Sequence, residues 1–295
     1  MGSFLAILSA IFFALTMIFI RRGVVKVPDA SLGILISVPM AVPLYFIILV
    51  ITGQVQHILE FPRQAYVWLS LAGIFHFVLG RSLNYRLVQL VGANLAGILR
   101  RANILVSFVV GIALLGEPLS GPLVAGVFLI LVGITLPGMS RRMFRDADGR
   151  FSKIPAKAFA LGLGCSLTFG ISPIFIKLGL AGSSSPVAGA FIAFLAATAV
   201  LSASLFHPTR RMSLVRITRG AAVLFFMAGL SSAAANLLRF AALKLSPASI
   251  AVPLISISPI FLLFFSFLFN RRLEIFNRSV IIGTAMVVIG GMLIV

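Results

Sequence analysis

The chain of 295 residues is too apolar for a water-soluble domain: hydrophobic residues make up 60% of it, charged residues only 10%, and the mean hydropathy is +1.16, far from the composition of soluble proteins. The net charge of +18 does not indicate a nucleic-acid partner, because the basic residues form short clusters between apolar runs, as in the cytoplasmic loops of membrane proteins. We therefore expect a multi-pass protein of the cytoplasmic membrane, surrounded by the lipid bilayer.

Ten apolar segments of about 20 residues nearly fill the chain, and each predicts one transmembrane helix. Their approximate bounds, in chain order, are 3–20, 31–52, 65–88, 94–115, 120–138, 158–179, 186–206, 218–243, 247–269 and 276–295. The hydrophilic stretch 140–157 is interpreted as a linker between two domains, 1–139 and 158–295. The single Cys165 excludes an intrachain disulfide, and without a Cys/His cluster no metal or other cofactor is expected.

The two domains carry an internal repeat. Three nearly equal shifts, of 156, 155 and 157 residues, align similar residues in chain order. The aligned pairs are 18–23 with 174–179, Gln89 with Lys244, Ala93 with Ala248, Gly126 with Gly283, and Gly133 with Gly290. This pattern indicates duplication of a five-helix unit. Because five is odd, the second unit enters the membrane from the opposite face, which predicts the inverted repeats found in secondary transporters.

Basic residues predict the orientation. Loops that follow odd-numbered predicted helices contain seventeen Lys and Arg, whereas loops that follow even-numbered ones contain only Arg63, Lys177 and Lys244. By the positive-inside rule, the first set of loops and the linker face the cytoplasm and both termini lie outside.

Several short motifs recur along the chain. They are GRSLNY at 80–85, VGA at 91–93, LGEPL at 115–119, Gly126 and Gly133 in the first half, and ALKLSPA at 242–248, Ser258-Pro259 and Gly283 in the second. Together they resemble the EamA family of the drug/metabolite transporter (DMT) superfamily. The resemblance implies an all-α fold of ten transmembrane helices in two inverted five-helix repeats, a central cavity lined by helices 1–4 and 6–9, and export of small metabolites.

The chain departs from the family pattern in two respects. The first repeat has Gly116-Glu117 where the second has Asn270-Arg271, with an acid only at Glu274. Family members also usually have both termini in the cytoplasm, whereas the charge distribution places them outside. We base the predicted orientation on the charges.

Four arginines, Arg81, Arg100, Arg101 and Arg239, fall inside predicted membrane helices. A charged side chain costs at least ~2.5 kcal/mol at the bilayer centre, which makes each a candidate functional residue. If helices 3 and 4 turn near residue 90, Arg81 and Arg100 lie ~14 Å deep. The alternative is that these side chains snorkel to the headgroups, and for Arg101 both interpretations stay open.

The 155-residue shift aligns Arg81 with Asn236 and Asn84 with Arg239. Residues at i and i+3 share a helical face, and inverted symmetry directs both faces toward the axis between the halves. We therefore predict a substrate site formed by these four residues and Arg100.

Helix 3 also contains His76, a candidate proton carrier or a packing residue. Pro173, Pro253 and Pro259 interrupt predicted helices 6 and 9. Since proline removes a backbone hydrogen bond and kinks its helix, these residues are candidate hinges, with kinks that serve only packing as the alternative.

No acidic residue is predicted at membrane depth, which disfavours a cation antiporter and favours an anionic ligand for the arginines. Without a GxxxxGK[ST] loop, direct use of ATP is not expected. The sequence thus predicts a monomeric secondary transporter that exports a small organic anion or amino acid by alternating access. Alternatives are a flippase for an anionic lipid-linked headgroup and an integral-membrane enzyme; the enzyme is disfavoured because no catalytic set of side chains lies at depth.

Overall fold

A computed structural model describes residues 1–103, 106, 121–139, 144–145, 151–152, 154–181, 185–215, 217–245, 254–255 and 257–294. Most of these residues are helical. The α-helices are α1 (Gly2–Val24), α2 (Ile34–Ser37), α3 (Ala41–Ile51), α4 (Arg63–Gly73), α5 (Arg81–Val91), α6 (Ala93–Leu99), α7 (Gly121–Met139), α8 (Ala156–Leu180), α9 (Pro186–Ala203), α10 (Pro208–Val215), α11 (Arg219–Leu245), α12 (Ser258–Phe269) and α13 (Arg278–Ile294). Two short strands within the predicted linker, β1 (Phe144–Arg145) and β2 (Phe151–Ser152), pair antiparallel.

Six helical stretches among the described residues are long and apolar enough to cross a membrane. They are Gly2–Val24, Ala30–Ile51, Arg63–Val91, Ala156–Leu180, Pro186–Phe206 and Arg219–Arg239. These stretches match predicted helices 1, 2, 3, 6, 7 and 8. Shorter apolar helices lie within predicted helices 5, 9 and 10, and α6 begins the fourth. The fold is thus that of a helical membrane protein, while the number of ten transmembrane helices stays a prediction.

Two of the long stretches are irregular near their middle. Predicted helix 2 starts as a 3₁₀ turn, Ala30–Gly33, and is broken between α2 and α3. Pro39 lies in that break, where its missing N–H removes a helical hydrogen bond. In predicted helix 3, α4 and α5 are joined by a π-helical segment, Ile74–Gly80. Such wide turns are common at functional sites, and this one carries His76 and Phe77.

The two halves pack through two helix pairs that correspond to each other in the sequence repeat. Helix α1 packs along α11, while α4, the π-helical segment and α5 pack along α8. In the first pair, the Ser9 hydroxyl donates to the Ala235 carbonyl at 2.8 Å. In the second, the Cys165 thiol donates to the Gly80 carbonyl at 3.6 Å. Cys165 lies 156 residues after Ser9, and Ala235 lies 155 after Gly80, so the contacts join equivalent positions.

Helices α7 and α13 make a reciprocal contact of the same kind. A Cβ atom added at Gly133 would lie 2.8 Å from the carbonyl oxygen of Gly283, and one added at Gly290 would lie 2.6 Å from that of Gly126. Both members of the first contact lie 157 residues before or after members of the second. The close approach therefore depends on glycine at equivalent positions of both helices.

Candidate functional site

A cavity of about 620 Å³ opens among residues of both halves of the chain, within the size range of small-molecule sites. On α8 its wall runs from Phe169 to Leu180, toward the C-terminal end, and on α9 from Pro186 to Phe194, toward the N-terminal end. The C-terminal end of α8 and the N-terminal end of α9 flank the loop between predicted helices 6 and 7, which is one of the loops that follow even-numbered predicted helices. The cavity thus extends toward this surface, here named the even-loop face; the opposite surface is the odd-loop face.

The polar part of the cavity wall is cationic. Arg100, Arg101 and Arg239 all line it, and no Asp or Glu is among its lining residues in the described chain. The Arg101 guanidinium donates to the Ser258 hydroxyl at 2.6 Å, which orients its remaining donors. The Nε groups of Arg100 and Arg101 are buried without a hydrogen-bond partner among the described residues. Such unpaired donors are costly to bury, and an anion in the cavity would offset the positive charge of the two guanidinium groups.

Aromatic rings form much of the remaining wall. Phe77 stacks on Phe194 with ring centroids 3.7 Å apart, and His76 lies 4.6 Å from the ring of Phe169. The His76 Nδ1 is 3.0 Å from the Ser172 hydroxyl oxygen. This places an imidazole with a hydroxyl partner between an apolar surface and the cationic wall.

Several of the predicted site residues meet at this cavity. Arg100, Arg239, Asn236 and His76 all line it. The Asn236 amide donates to the Ser232 carbonyl at 2.8 Å, one turn earlier in α11.

Two predicted site residues lie away from the wall. Arg81 is 7% exposed and donates to the Ser232 hydroxyl, with its guanidinium carbon 5.4 Å from the ring centre of Phe77. Asn84 is buried, and its amide contacts the Met17 sulfur at 3.7 Å. Neither residue is among those that line the cavity. Arg81 therefore lies against the wall residue Phe77 without being among the residues that line the cavity.

The predicted hinge prolines fall in different surroundings. Pro259 lies in the first turn of α12, a position that proline favours because no helical N–H bond is lost there. Pro173 lies within the continuous helix α8. Pro253 lies outside the described residues.

Sequence patterns did not single out the aromatic wall or Arg101 as a site residue. Adjacent helical residues point about 100° apart, which left Arg101 open between two interpretations. Here both Arg100 and Arg101 contribute to the wall because α6 ends at Leu99 and the backbone turns after it. The phenylalanines gave no signal, since apolar side chains also face lipid throughout such helices.

The odd-loop face carries a network of an ion pair and hydrogen bonds that sequence analysis also missed. Arg21, at the end of α1, forms an ion pair with Glu274 at 3.1 Å and donates to the Leu273 carbonyl at 2.6 Å. The Glu274 carboxylate accepts from the N–H groups of Ala93 at 2.7 Å and Asn94 at 2.9 Å. Glu274 thereby caps the free N–H groups at the start of α6. We name Arg21 and Glu274 the odd-loop gate.

Neighbouring residues reinforce the gate. Gly92 has a φ of +84°, and a Cβ atom there would lie 2.8 Å from a Glu274 carboxylate oxygen, so this turn favours glycine. Arg22 donates to Asn270 at 2.9 Å, and Gln89 donates to the Val24 carbonyl at 2.9 Å. Burial raises the pKa of the Glu274 carboxyl, while the charge of Arg21 and the N–H groups on α6 oppose that rise.

Comparison with known proteins bears on the fold and on the family of the chain. A solved crystal structure, described only as that of a protein, matches 99% of this chain and 94% of its own chain with a TM-score of 0.57 and 15% sequence identity, a likeness that shows the fold alone. No curated protein matches the sequence significantly. The sequence matches the EamA-like transporter family twice, over residues 1–138 and 156–295. Because these matches cover nearly the whole chain, the protein belongs to the EamA-like transporter family.

Proposed function

We propose that the protein is a secondary transporter that moves a small organic anion or amino acid through the central cavity by alternating access, in the export direction. The observation that carries the proposal is the cavity wall itself, where Arg100, Arg101 and Arg239 meet with no acidic residue among the described lining. Guanidinium groups hold carboxylates and phosphates through paired hydrogen bonds. An organic cation would instead meet like charge.

Many transporters that use alternating access are built from two related halves, and we propose that the chain forms two inverted repeats, 1–139 and 158–295, joined by the linker 140–157. The paired contacts of α1 with α11 and of the π-helical segment with α8 support this arrangement, since equivalent residues make equivalent contacts. The reciprocal glycine contacts of α7 and α13 also do. A twofold axis produces this reciprocity, because residue i then contacts j while the counterpart of j contacts the counterpart of i.

The state of the two faces supports the same mechanism. The cavity extends toward the even-loop face, whereas the ion pair of Arg21 and Glu274 closes the odd-loop face. This combination corresponds to one of the two end states of alternating access. With the orientation that the basic loops predict, this end state is open to the outside of the cell. We further propose that the protein lies in the cytoplasmic membrane and acts as a monomer. We assign His76 as the candidate proton carrier and Pro173, Pro253 and Pro259 as hinge positions.

Transport assays test the proposal. Purified protein is reconstituted into liposomes, and uptake of radiolabelled organic anions and amino acids is compared with that of protein-free liposomes. We expect uptake of at least one anion, reduced by the Arg239→Gln substitution after normalisation to folded protein. The exposed Arg211→Gln substitution on α10 serves as the control and should retain full uptake. Equal uptake with and without protein for every compound would contradict a transport function.

A further inference from the structure

The charge of the cavity wall restricts the substrate to a narrower class than organic anions in general. Three guanidinium groups line the cavity, and the described lining contains no carboxylate to balance them. Building on the proposed transport function, we propose that the substrate is an organic dianion with an apolar body and no ammonium group, either a dicarboxylate or a phosphate monoester.

The number of guanidinium groups favours a substrate with more than one anionic charge. Arg101 uses one nitrogen on Ser258, while its Nε and that of Arg100 have no partner among the described residues. Arg239 contributes a third guanidinium from α11. A single carboxylate accepts a bidentate pair from one arginine, and removing charges from water without pairing them is strongly unfavourable. A second anionic group therefore offsets charge that a monoanion leaves unpaired.

An ammonium group finds no partner in the same wall. The other polar side chains that line it are neutral, as hydroxyls, amides or an imidazole: His76, Asn103, Ser172, Asn236 and Ser258. A substrate ammonium would have at most neutral acceptors while facing three guanidinium groups, and like charges repel. A zwitterion with one carboxylate and one ammonium also carries no net charge, so it does not balance the positive charge of the wall. The cavity thus disfavours ordinary amino acids.

The apolar wall specifies the rest of the molecule. Phe77 and Phe194 stack on one another, Phe169 lies against His76, and Leu180 lines the part nearest the even-loop face. Aromatic rings bury large apolar areas and pair with other rings in stacked or edge-to-face contacts. A small, fully hydrated dianion leaves this surface uncovered, whereas an apolar or aromatic body covers it.

Four probes separate these requirements. Isothermal titration calorimetry on the full chain in lipid nanodiscs compares phenylsuccinate, 3-phenylpropionate, phenylalanine and succinate at neutral pH. We expect phenylsuccinate to bind at least about tenfold more tightly than 3-phenylpropionate and than succinate, with phenylalanine the weakest of the phenyl compounds. Each comparison changes one feature: the second charge, the apolar body or the ammonium group.

Substitutions of arginines in the cavity wall test whether the wall produces this ranking of affinities. Arg100→Gln and Arg239→Gln should each bring the ratio of phenylsuccinate to 3-phenylpropionate affinity toward one, whereas Arg211→Gln should leave the ratio unchanged. Phenylalanine binding as tightly as 3-phenylpropionate, or equal affinities for the monoanion and the dianion, would overturn the inference while leaving anion transport intact. If none of the four probes binds, both the inference and the proposed anion site fail.

Discussion

At the scale of single residues, Arg239 and Arg81 present the clearest contrast. Arg81 is buried and Arg239 half-buried on helices of the central bundle, but Arg239 lines the cavity whereas Arg81 lies against Phe77 and donates to Ser232. A side chain contributes directly to ligand binding only where it reaches the ligand. The two arginines should therefore respond differently to the same substitution.

We predict that Arg239→Gln weakens binding of an organic anion by about 1.5 to 3 kcal/mol, the usual contribution of a hydrogen bond to a charged group. Arg81→Gln should weaken it by less than about threefold. Calorimetric titration of both variants with the same anion measures the difference. A larger loss for Arg81→Gln than for Arg239→Gln would show that the cavity wall has been assigned to the wrong arginine.

The sequence predicts how deep these residues lie but not which way they point. Arg81 and Asn84 share a helical face by spacing, and inverted symmetry directed that face toward the centre. Phe77, within the π-helical segment, lines the cavity, whereas Arg81, the residue after that segment, is not among the lining residues. The sequence did not predict the π-helical segment, because its residues are as apolar as those of any membrane helix.

At the scale of helices, the short α6 connects the odd-loop gate to the cavity. Glu274 caps its first N–H groups, and Arg100 follows its last residue, Leu99, ~10 Å away at 1.5 Å per residue. A movement of α6 along its axis would therefore displace residues at both the gate and the cavity wall.

Glu274→Gln tests the gate. It removes one charge of a buried ion pair, which costs about 3 to 5 kcal/mol when the partner stays behind, and should shift the protein toward opening at the odd-loop face. The readout is maleimide labelling, in nanodiscs, of a Val91→Cys substitution in a Cys165→Ala background; Val91 is 3% exposed. We expect labelling at least about tenfold faster with Glu274→Gln than without it. Identical rates would contradict the role of this ion pair as a gate.

The gate also clarifies the first departure from the family pattern, the difference between the two loops that contain Glu117 and Glu274. A shift of 157 residues, the same that aligns Gly133 with Gly290, aligns Glu117 with Glu274. Glu274 is thus the sequence counterpart of Glu117, despite the different residues around it. The ion pair itself was not predictable, because Arg21 and Glu274 lie 253 positions apart and only the packing of α1 brings them together.

Helix packing at glycine gives a prediction on the repeat. A Cβ atom at Gly229 would lie 2.5 Å from the Ser37 carbonyl oxygen, and one at Gly73 would clash with the Ala193 carbonyl. These positions are equivalent at a shift of 156. Gly73→Ala and Gly229→Ala should each destabilise the protein by about 1 to 3 kcal/mol through overpacking, measured by thermal unfolding in detergent.

Gly121→Ala is the matched control for these substitutions. A Cβ atom at Gly121 meets no atom of the described residues within 4 Å, so the melting temperature of the Gly121→Ala variant should stay close to that of the unaltered protein. Loss of stability in only one of Gly73→Ala and Gly229→Ala would argue against equivalent packing of the two halves.

At the scale of the whole molecule, the family and the membrane character follow from hydropathy, the short motifs and the repeat, because these are distributed over the entire chain. The predicted EamA resemblance is confirmed by the family match over both halves. The orientation in the membrane rests on the charge of loops alone, and we keep it as a prediction.

Cysteine labelling tests that orientation. A Gly149→Cys substitution in the linker, in a Cys165→Ala background, should resist a membrane-impermeant maleimide in intact cells, since the basic linker is predicted to face the cytoplasm. Gly149 lies outside the described residues, so the test relies on sequence alone. Labelling in intact cells, at the level seen after permeabilisation, would reverse the orientation and place both termini inside.

The claim that the cavity selects anions is tested most directly by a ligand screen. Thermal shifts of the purified protein are measured with matched sets of organic anions, zwitterionic amino acids and permanent organic cations, and each hit is repeated with Arg100→Gln and Arg239→Gln. The account predicts that an organic anion gives the largest stabilisation and that both substitutions reduce it, because ligand binding to the folded state raises its stability. A permanent cation as the strongest ligand, with unchanged stabilisation in both variants, would contradict it.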